Sequence, residues 1–73
     1  MLVVHNDRCG ITNLNAVIQI RLDSNWIRAF DIGGGNHLLA TYTTEDRARA
    51  VFQFLTEACR VTKGDDVILL PEE

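Results

Sequence analysis

Apolar and polar residues alternate with a period of two through residues 16–23, AVIQIRLD, and again through residues 26–32, WIRAFDI. In the first segment Ile18, Ile20 and Leu22 share one side, and Val17, Gln19 and Arg21 share the other. In the second, Ile27 and Ala29 lie opposite Trp26, Arg28 and Phe30. This period predicts two half-buried strands. Asp23, Ser24 and Asn25 lie between them, residues that favour tight turns by bonding their side chains to nearby backbone. After the glycines at 33–35, HLLATY (37–42) reads as the third strand of an antiparallel meander. LVV at 2–4 predicts a short opening strand, and HNDRCG (5–10) a bend.

Across TTEDRARAVFQFLTEACRVT (43–62) the period changes. Ala48, Val51, Phe52, Leu55, Ala58 and Cys59 recur at steps of three and four, the stripe of an amphipathic helix. Arg47, Arg49, Gln53, Glu57 and Arg60 fill its polar side. Thr43 and Asp46 have capping-box spacing, and Glu45 and Asp46 suit the positive end of the helix dipole. Lys63-Gly64 is placed to end the helix, with glycine free to adopt the left-handed cap conformation. DVILL (66–70) predicts a last strand halted by Pro71, with Glu72-Glu73 frayed. The order β-β-β-β-α-β describes an α+β domain: an antiparallel β-meander of three to five strands, one amphipathic helix packed on one face. Residues 1–73 form a single domain, since a chain of 73 residues leaves no room for a second.

A chain this short buries a limited share of its surface, so a staple or a partner chain is expected. Two cysteines, Cys9 and Cys59, are too few for a disulfide framework. MLVVHNDRC lacks the basic region of a signal peptide, and no run approaches the ~20 apolar residues that cross a bilayer. A soluble, cytoplasmic protein without membrane contact is therefore expected. Seven basic residues against ten acidic ones give a net charge of −3, and the basic ones are dispersed. Nucleic-acid binding is not expected, since its electrostatic footprint is a basic cluster.

The triple glycine poses the main chemical question. A phosphate loop needs a glycine turn opening into a helix, followed by lysine and a hydroxyl residue. Here NHLLATY follows, strand-like and without lysine; the dinucleotide pattern also fails, because position 38 is Leu. The glycines therefore read as a hairpin turn. His5, Asp7 and Cys9, with His37 and Cys59 elsewhere, lack the paired ligand spacing of a zinc site. No metal, cofactor or catalytic residue is expected. Asp65-Asp66 reads as a solvated turn.

One helix covers one face of a sheet. If it covers Ile18, Ile20, Leu22, Ile27 and Ala29, then Val17, Trp26, Phe30 and Ile32 project from the other face. An apolar patch of this kind on a small domain marks an interaction surface. A homo-oligomer, most simply a two-fold dimer, is the first expectation. The alternative is a small-ligand site, for a nucleotide-like molecule at a subunit junction, built by Gly34, Asn36 and His37.

The stretch NLNAVIQI from Asn13, IRA from Ile27 and LATYTTEDRARAVFQFL from Leu39 resembles a group of small phage and prophage proteins of Gram-positive bacteria. The shared pattern is Leu-Gly/Ala-x-Tyr-Ser/Thr-x-Glu-x-x-Ala at a strand-to-helix junction. Leu39, Ala40, Tyr42, Thr43, Thr44, Glu45 and Ala48 carry it here, within a span of residues 13–58. The chain departs at Asp46, where Glu or Lys is common in that group. The resemblance implies a mobile-element accessory protein that acts by binding, on a host protein for example, and it implies no catalytic residues.

Overall fold

The computed structural model describes residues 1–61 and 66–73. Six strands and one helix follow in the order β1 Leu2–Val4, β2 Ile11–Asn13, β3 Val17–Asp23, β4 Trp26–Asp31, β5 Asn36–Thr41, α1 Glu45–Val61 and β6 Val67–Leu69. A single 3-10 turn, Leu14–Ala16, joins β2 to β3. The chain is an α+β domain. The expected meander is present as β3-β4-β5, antiparallel throughout. A second sheet, β2-β1-β6, pairs β1 antiparallel with β2 and parallel with β6.

The strand β2 was not legible as one: three residues, Ile-Thr-Asn, follow the turn-rich HNDRCG. That turn closes by a bond from His5 N–H to the Gly10 carbonyl and by an Asx bond from Cys9 N–H to Asp7. Arg8 adopts a positive φ of 62° within it. β2 then lies back along β1, with Val3 opposite both Thr12 and Ile68. All three turn inward and are buried.

Two bulges correct the simple alternation. In β3 the pairing steps from Val17↔Asp31 to Gln19↔Phe30, so Ile18 is the extra residue. Val17 therefore shares the inner face with Ile20, Leu22, Ile27 and Ala29 and packs on the core, instead of projecting outward. Ile18, expected under the helix, is 69% exposed. In β5 the step from Ile27↔Ala40 to Arg28↔Leu38 makes Leu39 the extra residue. Leu39 and Ala40 can then both be buried, though adjacent in a strand.

The core joins inner residues of both sheets to the stripe of α1, with Ala48, Val51 and Leu55 contributed by the helix. The helix cap is Thr44, one residue later than expected: its hydroxyl accepts from Arg47 N–H at 3.1 Å. Thr43 instead donates to the Glu73 carboxylate. The expected helix end at Lys63-Gly64, and Asp65, lie outside the described residues.

The C-terminal residues are not frayed. Buried Tyr42 donates its hydroxyl to the Pro71 carbonyl at 2.7 Å, and Arg8 donates to the Leu70 carbonyl at 2.6 Å. Arg47 reaches the Glu73 carbonyl, and Arg8 lies 3.6 Å from the Glu72 carboxylate. Burial pushes the Tyr42 phenol up, which keeps it a donor. Tyr42→Phe should cost about 1 kcal/mol, the net worth of one hydrogen bond. Urea denaturation checks the cost, and hydrogen exchange should show faster exchange across residues 70–73.

Candidate functional site

The outer face of β3-β4-β5 is a grid of three rows, set by the register. Gln19, Phe30 and Asn36 form one row, Arg21, Arg28 and Leu38 the next, and Asp23, Trp26 and Thr41 the last. The alternation of WIRAFD places Trp26, Arg28 and Phe30 on one side of the central strand. The β5 bulge brings Leu38 beside Arg28. Trp26 is 41% and Leu38 48% exposed, while Phe30 is half-buried. Ile32, just past β4, is 75% exposed. Of the four residues expected on this surface, Trp26, Phe30 and Ile32 lie outside the core and Val17 does not.

Arg28 sits at the centre of this grid. Its guanidinium lies 4.5 Å from the centroid of the Trp26 ring, within cation–π range. Among the described residues no carboxylate pairs with it, and its Nε is buried without an acceptor. Buried donors are normally satisfied, so this atom is an exception that calls for a reason. Arg21, directly opposite on β3, is held by Asp23 at 3.4 Å. Sequence reasoning listed Arg28 on this face without giving it a role; its lack of an acidic partner needed the register.

The glycine hairpin is occupied by its own side chains. Asp31 accepts from Gly35 N–H through Oδ1 at 2.9 Å and meets His37 Nε2 through Oδ2 at 2.9 Å. The bond to His37, then that to Gly35, holds the Asp31 carboxyl below its ordinary value of 3.8. Gly34 supplies the positive φ of 89° that the turn requires. Gly34, Asn36 and His37 do not converge: His37 pairs with inward Ala29, whereas Asn36 pairs with outward Phe30. A pocket of about 170 Å³ beside the hairpin is lined by His37, Asp31, Thr12 and Val17, and not by Gly34 or Asn36.

The other histidine is engaged as well, His5 Nε2 lying 2.7 Å from the Thr12 hydroxyl. Cys9 and Cys59 are free thiols, and partial burial pushes that of Cys59 up. Among the described residues no three His, Cys, Asp or Glu side chains are grouped to hold a metal ion, and no helix is long and apolar enough to cross a membrane.

A second concavity, about 380 Å³, runs between α1 and β3. Ile18, Ile20, Leu14, Phe52 and Cys59 are among its lining residues.

No protein-family model matches the chain, and no curated protein or solved structure is significantly similar to it.

Two outcomes test the hairpin. Gly34→Ala should cost about 1 kcal/mol through the left-handed backbone alone, because a Cβ there meets nothing within 4 Å. Gly33→Ala, without that φ, should be near neutral, and thermal melts of the pair check the contrast. Asp31 has a folded-state pKa below its unfolded one, so its contribution is present above about 3.8 and fades as pH falls through the lower value. Asp31→Asn should therefore be less stable than wild type at neutral pH, the gap closing in acid, as denaturation curves across pH 2–7 would show.

Proposed function

We propose that this chain is a non-enzymatic interaction module that works as a homo-oligomer and receives an acidic, apolar-anchored segment of a partner protein on the outer face of β3-β4-β5. The observation that carries the reading is Arg28: a guanidinium central to an apolar sheet face, stacked on Trp26, with no carboxylate of its own among the described residues. Trp and Arg dominate interface energetics when a partner desolvates them, and guanidinium pairs bidentately with carboxylate. Trp26, Phe30 and Leu38 would supply the anchoring area. The resemblance to phage and prophage proteins fits such a role, with a host protein as the partner.

Charge favours a protein over a nucleic acid here. The chain carries −3 overall, and Arg21, the second cation of the face, is already neutralised by Asp23. A strand-binding groove tracks several phosphates with several cations. Self-stacking of this face is disfavoured as well, because it would set two positive centres against each other.

Selection of random peptides on the immobilised protein tests the reading. Selected sequences should combine Asp or Glu with apolar residues, and Arg28→Glu or Trp26→Asp should weaken their binding at least tenfold. Peptides without acidic preference, or binding indifferent to both substitutions, would refute it. Tight binding of a labelled oligothymidylate would instead point to nucleic acid.

A further inference from the structure

We infer that two copies join through β3, pairing antiparallel across a two-fold axis at Ile20 to make one six-stranded sheet. This rests on the homo-oligomer half of the preceding reading and is independent of the acidic partner.

The two edges of β3-β4-β5 differ. The β5 edge is sealed: Asn6 N–H donates to the Leu39 carbonyl, and the Asn6 side chain donates to the Thr41 carbonyl and accepts from Thr41 N–H. Among the described residues no strand pairs with the outer edge of β3. Natural edge strands are kept short, or carry inward charges, or twist away at bulges. β3 is the longest strand among the described residues, its seven residues Val17–Asp23 spanning about 23 Å at ~3.3 Å per residue. Its bulge residue Ile18 is apolar and 69% exposed beside this edge.

Symmetry selects the register. A two-fold centred on Ile20 places Gln19 opposite the partner's Arg21 and Ile20 opposite the partner's Ile20, within the stretch of regular ladder that follows the bulge. No like charges face each other. Centring on Arg21 would oppose two guanidiniums, which is destabilising. The groove between α1 and β3 then gains an occupant, because the partner strand brings its apolar inner side chains to the groove's open side. Strand addition of this kind takes affinity from main-chain bonds and specificity from alternate side chains in pockets.

The rival surface is the outer side of β2-β1-β6, where Leu2, Ile11, Val67 and Leu69 are exposed. Its strands are three residues each, so neither of its edges offers a ladder as long as that of β3.

Light scattering at several concentrations should show a dimer for wild type and a monomer for Ile18→Lys, whose exposed position leaves the fold intact by circular dichroism. In a background with Cys9→Ser and Cys59→Ser, Gln19→Cys with Arg21→Cys should oxidise to a covalent dimer, whereas Gln19→Cys alone should not. A wild-type monomer would overturn both the edge pairing and the homo-oligomer reading. A dimer that survives Ile18→Lys but dissociates on Leu69→Asp would overturn the edge pairing alone, and so would absence of the crosslink in a dimeric double variant.

Discussion

A single amphipathic helix has one apolar stripe, and this chain has two sheets with four faces to cover. The stripe of α1 and the inner faces of both sheets close on each other around Ile27, Leu39, Tyr42, Val51 and Leu55. Among the described residues nothing covers the outer faces. That constraint places Trp26, Phe30 and Leu38 in contact with solvent on one sheet, and Leu2, Ile11, Val67 and Leu69 on the other. A core this small also leaves little stability to spare, so bonds outside it matter. The C-terminal residues illustrate this: Tyr42, Arg8, Asn6 and Arg47 each hold their backbone, tying the last strand to the strand-to-helix junction.

The two bulges do more than adjust register. In β5 the extra residue lets Leu39 and Ala40 both enter the core and sets Leu38 beside Arg28. In β3 it sends Val17 inward and leaves Ile18, one of the residues lining the groove next to α1, exposed. Bulges are common where a sheet must re-aim a side chain. Here each bulge shapes a surface: one completes the Arg28 face, the other turns Ile18 to solvent.

The hairpin at Gly33–Gly35 shows how a chemically suggestive sequence can resolve into structure. Asp31 uses one carboxylate oxygen on the Gly35 N–H and the other on His37. The groups that might have met a ligand instead bind one another. His5 is engaged likewise by Thr12. Arg28, with its buried Nε unpaired, lies on the opposite side of the sheet from His37.

Periodicity determined the helix, the first two strands of the meander and the outward direction of Trp26, Arg28 and Phe30, while apolar runs beside turn residues marked the strands within 2–4, 37–42 and 66–70. These follow from local spacing, 2.0 in a strand and 3.6 in a helix, and survive in any tertiary setting that buries the apolar side. Tertiary structure decided the rest. β2 exists because β1 offers it a partner, a contact that a three-residue segment cannot announce. The facing of Val17 and Ile18 reversed because one inserted residue flips every side chain beyond it. The order of Glu72 and Glu73 depends on Tyr42, Thr43, Arg8 and Arg47, residues far away in sequence whose bonds exist only once the core has closed.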